Sequence, residues 1–125
     1  MTIIRDQFLI GIVGPCAAGK STLIAGLEKH GYRARHIAQE HSHAKDMWQR
    51  LTNPDLLIFL EVSYSVSLER KKINWNEEEF IKQRKRLEHA REHADLYLAT
   101  DNLSPKEALS KVLKFIKEAN EAPTD

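Results

Sequence analysis

Apolar positions along this chain fall into short solid runs separated by longer, mixed stretches. Phe8-Leu9-Ile10-Gly11-Ile12-Val13 and Leu56-Leu57-Ile58-Phe59-Leu60 are continuous apolar runs. Runs of that length read as strands buried on both faces. Tyr32 to Ala38 alternates weakly and predicts another strand, and Leu96-Tyr97-Leu98-Ala99 predicts the last one. The stretches between them carry helical signals. Lys20 to His30 predicts a helix closed by Gly31, and Ser65 to Lys72 predicts a second. Asn76 and Glu79 offer a capping box for a long charged helix reaching about Ala94, with acids first and bases later. Ser104-Pro105-Lys106-Glu107 supplies a cap, a first-turn proline and a capping-box glutamate. Leu109, Val112, Leu113 and Ile116 give that final helix its core face. Residues 39 to 54 read as loop with a short helix around Asp46 to Leu51, ended by Asn53-Pro54.

Strands alternating with helices predict an α/β fold: three layers, with a small, mostly parallel sheet of about four strands flanked by helices. One domain over residues 1–120 is expected, with 121–125 as a disordered tail. A ligand should sit outside the carboxyl ends of the strands. Glu40 and Glu61 fall at or just beyond strand ends and are expected to face that crevice.

The first strand runs directly into Gly14-Pro15-Cys16-Ala17-Ala18-Gly19-Lys20-Ser21, which matches the phosphate-binding pattern G-x-x-x-x-G-K-[ST]. Strand, glycine loop and helix occur in the order the pattern needs. The glycines let backbone N–H groups turn toward a polyphosphate, aided by the positive end of the following helix. Lys20 is expected to reach the β- and γ-phosphates, and the Ser21 hydroxyl to ligate Mg²⁺. Gly14 through Ser21, with Thr22, form the expected nucleotide-binding set.

Composition narrows the setting. The 125 residues carry a formal net charge of +1 and a single cysteine, Cys16. Near-balanced charge gives no global field toward nucleic acid or membrane. One cysteine excludes an internal disulfide and suits a reducing compartment, so a cytoplasmic protein is expected. No run is long enough to span a bilayer.

The loop, the segment Asp55-Leu56-Leu57-Ile58-Phe59-Leu60-Glu61-Val62-Ser63 followed by Val66 and Arg70, and the basic helix beyond it together resemble small P-loop kinases. Thymidylate kinases and related nucleoside and nucleotide kinases have a similar strand-then-helix pattern and an arginine-bearing lid. Ala94-Asp95-Leu96-Tyr97-Leu98-Ala99-Thr100-Asp101 before Leu103-Ser104-Pro105 is similar to their last strand and C-terminal helix. The resemblance implies a P-loop NTPase fold, ATP and Mg²⁺ as cofactors, and transfer of a phosphoryl group to a small-molecule or nucleotide acceptor, or its hydrolysis. It also implies a basic lid over about residues 71–94. The chain departs from the family by lacking a strand–helix unit between Glu40 and Leu56, where the acceptor is usually handled.

On this reading Lys20, Glu40, Arg84 and Arg86 are the catalytic candidates, and Ser21 and Glu40 the metal ligands. Glu40 takes the place of the Mg²⁺-holding acid if the second strand lies directly beside the first. Glu61 is the rival acid, with Asp46 third, and Arg70 is a further candidate lid arginine. The alternative is a non-catalytic nucleotide-binding module acting through a protein partner. No Asn/Thr-Lys-x-Asp guanine motif occurs, so ATP is the expected base. A homodimer would hide a sheet edge.

Other residues carry weaker signals. His89 and His93 share a helix face at ligand spacing, and His41 and His43 flank Ser42, but surface roles suit all four. A histidine just past Glu40 could meet a phosphate. Trp48 and Trp75 could stack on a base, with core packing as the plainer use. Cys16 reads as a small residue at a variable loop position, or as a thiol whose oxidation would block the loop.

Overall fold

A computed structural model describes residues 8–71 and 76–121. Trp75 and residues 122–125 of the expected tail lie outside the described residues, while residue 121, expected in that tail, ends the last helix. The chain runs β1 (Leu9–Val13), α1 (Lys20–Lys29), β2 (Arg33–His36), β3 (Leu56–Glu61), α2 (Tyr64–Lys71), α3 (Glu77–His93), β4 (Leu96–Ala99) and α4 (Pro105–Glu121). The four strands form one sheet in the order β2-β1-β3-β4. Every neighbouring pair is parallel. This is a small α/β fold of four parallel strands flanked by helices.

Burial explains the strand pattern. All six residues of β3 are buried, as the solid apolar run requires. Successive strand side chains point to opposite faces, so each buried strand feeds two cores. Ile10, Ile12, Ile58 and Leu60 join Leu23 and Leu27 of α1 and Val112 and Ile116 of α4 on one face. Val13, Leu57 and Phe59 join Trp48 and the α3 residues Leu87 and Ala90 on the other. Edge strand β2 is mostly exposed, which accounts for its weak alternation.

Local signals act where the sequence places them. Asn76 Oδ1 accepts the Glu79 N–H at 2.9 Å. Ser104 and Glu107 cap α4 reciprocally, at 3.0 and 3.1 Å. Gly31 and Tyr32 donate their N–H groups to Glu28 and Leu27 carbonyls, closing α1 in a Schellman turn.

Two differences from the sequence reading stand out. The short helix expected around Asp46 to Leu51 is a wide π-type turn, Trp48–Thr52. Its last turn closes onto Asn53, left-handed at φ 44°, an asparagine conformation that stops the chain winding on toward Pro54. The charged helix α3 is docked rather than standing off the body: Phe80, Gln83, Leu87 and Ala90 are all buried. Among the described residues, no helix is long and apolar enough to cross a membrane.

Candidate functional site

The loop after β1 begins hard against the backbone of β3. A Cβ on Gly14 would lie 2.3 Å from the Leu60 carbonyl oxygen of β3, so only glycine fits there. Two further residues take the left-handed region, Ala17 at φ 70° and Gly19 at φ 98°. Gly19 is the N-cap of α1 and has no side chain to cap it. The first N–H groups of α1 therefore meet no capping side chain, which leaves the helix terminus fit to receive an anion.

Lys20, first residue of α1, folds back over the loop instead of reaching into solvent. Its Nζ donates to the Gly14 carbonyl and to the Pro15 carbonyl at 3.4 Å, and it pairs with Glu40 Oε2. Both side chains are buried, Glu40 only 2% exposed. Glu40 lies in a 3-10 turn, Gln39–His41, just past β2. The short connection puts β2 directly beside β1, and that pairing brings Glu40 to the loop.

Buried Gln39 fixes this turn. Its Nε2 donates to the Ala44 carbonyl at 2.7 Å and the Arg86 carbonyl at 3.2 Å, while its Oε1 accepts the Trp48 N–H at 2.8 Å. His36 Nε2 stands 3.5 Å from Glu40 Oε2 and His41 Nε2 3.9 Å from it. The other oxygen, Glu40 Oε1, is buried with no hydrogen-bond partner. An open cleft of about 400 Å³ joins these groups, with Gly19, Lys20, Ser21, His36, Glu40 and His41 on its walls.

The structure thus brings Lys20, Ser21, Thr22, Glu40 and the loop together. Arg84 goes elsewhere, its Nη2 pairing with Glu61 Oε2 at 2.8 Å. Tyr97 donates to the same oxygen at 3.2 Å, and the Val62 N–H reaches Glu61 Oε1 at 3.1 Å. Burial, then the charge of Glu61, pushes the Tyr97 phenol above its ordinary value. Arg86 donates to the Glu40 backbone carbonyl at 3.3 Å and supports the turn from behind. Neither arginine lines the cleft. Asp46 pairs with Arg50 at 3.0 Å.

Arg70 is the arginine nearest the loop, donating to the Ala17 carbonyl and to Thr100 Oγ1, each at 3.0 Å, and to the Thr100 carbonyl. Beside it a second cavity of about 300 Å³ opens, bordered by Ala17, Gly19, Thr22, Arg70, Leu103 and Pro105. Sequence reasoning missed Gln83, which receives the Cys16 N–H at 3.1 Å and donates to Cys16 Sγ at 3.3 Å. The signal was present: Gln83 interrupts the Phe80, Leu87, Ala90 stripe of α3 with a buried amide. His36 gave no signal, being one polar residue in an exposed edge strand.

The remaining candidates have structural partners. Trp48 Nε1 donates to His89 Nδ1 at 3.1 Å, and its ring packs against His89 and His93. The expectation that Trp48 fills the core fits this packing better than stacking on a base.

No family model matches the chain, and no curated protein matches it. Among solved structures it aligns with the crystal structure of HP1043, an orphan response regulator of H. pylori. That alignment has a TM-score of 0.46 and 16% identity, and covers 89% of this chain and 98% of the other. The expected kinship with thymidylate and nucleoside kinases is corrected here: no family model matches the chain, and the aligned structure named above is described as a response regulator. The kinase and NTPase activities, the phosphate acceptor and the P-loop fold assignment go with it. The geometry gives a physical reason to part from that reading, since α3 is packed down and Arg84 is held by Glu61, away from the cleft.

Proposed function

We propose that the cleft between the Gly14–Ser21 loop and Glu40 is a binding site for the phosphate groups of an anionic ligand, taken together with a divalent cation. One observation carries this reading: a buried lysine is turned onto loop carbonyls and a carboxylate at the uncapped start of a helix. That arrangement holds a cation in reserve where an anion would be received. ATP and Mg²⁺ are the pair nominated by the spacing of Gly14, Gly19, Lys20 and Ser21. The donors fit Mg²⁺, which prefers oxygen ligands: the Ser21 hydroxyl, and Glu40 with an oxygen that has no partner. When bound, the cation would offset phosphate charge.

The chain's own residues do the rest. Lys20 exchanges carbonyl contacts for phosphate oxygens, and Gly19 leaves the helix N–H groups clear of any cap. The cavity beside Arg70 and Pro105 has mostly apolar walls and would receive the remainder of a nucleotide. What is proposed is binding, in a cytoplasmic setting that keeps Cys16 reduced. A homodimer through an open sheet edge, β2 or β4, belongs to the same proposal, and sedimentation checks it.

Calorimetric titration with ATP and Mg²⁺, and with pyrophosphate, tests the reading. Saturable binding is expected in the native chain. It should be lost in Lys20→Met/Glu40→Gln, a pair of changes that removes both charges together, with folding checked by circular dichroism. Absence of binding in the native chain, or equal binding in that variant, overturns the proposal.

A further inference from the structure

The mouth of the cleft gathers a second kind of chemistry. Cys16 Sγ, a carboxylate oxygen of Glu40 and a ring nitrogen of His41 all lie within 4.8 Å of one another. Two separate elements supply them, the loop after β1 and the turn after β2. Among the described residues, this is the group of three potential ligands spaced to hold a metal ion. Independently, Glu40 Oε1 is buried and has no partner, which is costly for a carboxylate oxygen unless something arrives to meet it. His36 Nε2, 3.5 Å from the other Glu40 oxygen, stands ready as a further donor. The Gln83 amide, donating to Cys16 Sγ at 3.3 Å, orients the sulfur as outer-shell partners orient metal ligands.

Sulfur, imidazole nitrogen and carboxylate oxygen together form a donor set that suits zinc and does not suit Mg²⁺. We infer that Cys16, Glu40 and His41 bind Zn²⁺, with His36 or water in the fourth position. The ion would tie the phosphate loop to the turn after β2 across the mouth of the cleft. Tetrahedral zinc needs donors about 3.5 Å apart, given Zn–S near 2.3 Å and Zn–N near 2.0 Å. The ligand atoms lie within 4.8 Å of one another, and His41, whose side chain is 60% exposed, can swing inward to close the difference. On binding, the Cys16 thiol loses its proton to solvent as the sulfur–zinc bond forms, so affinity rises with pH. Glu40 can offer Oε1 while Oε2 keeps Lys20. Zn²⁺ and the Mg²⁺ proposed above would draw on the same Glu40 oxygen, so the two occupants are alternatives, and zinc is tested without nucleotide or Mg²⁺.

Cobalt is the probe, because a thiolate–Co²⁺ bond gives a charge-transfer band in the near ultraviolet. Titrating the full, untagged chain with Co²⁺ in the absence of nucleotide and Mg²⁺ should raise that band to one ion per chain, and Zn²⁺ should erase it. Cys16→Ser should abolish the band, and His41→Ala should weaken affinity by about a hundredfold or more. His93→Ala should change nothing. Both ligand changes fall on partly or fully exposed side chains, so folding, checked by circular dichroism, is expected to survive. A native chain without the band, or Co²⁺ affinity unchanged in Cys16→Ser, overturns the inference.

Discussion

Glu40 and Glu61 are both buried carboxylates beyond or at the end of a parallel strand, yet their surroundings differ. Glu61 is fully engaged: Arg84 and Tyr97 hold one oxygen, and the Val62 N–H holds the other. Nothing is left over, and the cluster joins α3 to the sheet. Glu40 has Lys20 on one oxygen and no partner on the other, although it is the more deeply buried of the two, 2% exposed against 8%. A saturated acid is a structural joint. An acid that is buried but incompletely met, and paired with a lysine from a glycine loop, is the feature on which the proposed ligand site rests.

The contrast can be broken by substitution. The largest effect is expected at Lys20. Lys20→Met leaves the Glu40 charge buried and unpaired, at a cost of about 3 kcal/mol in urea unfolding. Adding Glu40→Gln should recover most of it, and a double variant no more stable than the single one would deny the coupling. Arg84→Ala should cost only about 1 kcal/mol, because the Arg84 side chain is 42% exposed and water screens the pair. A loss at Arg84 as large as that at Lys20 would erase the distinction between the two acids.

A smaller change is expected inside the loop. Ala17→Gly relieves a left-handed alanine at φ 70° and should stabilise the fold by about 0.5 kcal/mol, read as a higher unfolding midpoint. Destabilisation there would mean that the alanine methyl contributes packing.

The smallest effect belongs to pH and lies remote from both acids. The Ser104 N–H and hydroxyl hold the Glu107 carboxyl below its ordinary range. Its contribution is therefore present above the unfolded carboxylate pKa and fades as pH falls through the lower folded value. Glu107→Gln should flatten the acid side of the stability profile slightly. An unchanged profile would remove Glu107 as a contributor.

Much of the scaffold was readable because its causes are local. Asn76 with Glu79 and Ser104 with Glu107 cap helices three residues away, and the solid run from Leu56 to Leu60 could only be a strand covered on both faces. The meeting of Lys20 and Glu40 was partly legible, since the short β1–α1–β2 path leaves β2 little choice but to pair with β1. The fates of Arg84 and Arg86 were not. On a helix, two positions separate them by about 200°, and which face meets the sheet depends on Phe80, Leu87 and Ala90 packing against residues far away in sequence. Gln83 was hidden for the same reason. Kinship inferred from the glycine loop did not hold either, because a short loop pattern fixes backbone turns more tightly than ancestry.

The loop is also fastened on its far side. Thr100 Oγ1 donates to the Ala18 carbonyl at 2.9 Å, and Arg70 spans from Ala17 to Thr100. Anything that lifts residues 17 and 18 must loosen the end of β4 and the approach to α4 in the same motion. Amide hydrogen exchange would register this as protection that rises and falls together at Ala18 and at Leu103, residues far apart along the chain and joined by one threonine.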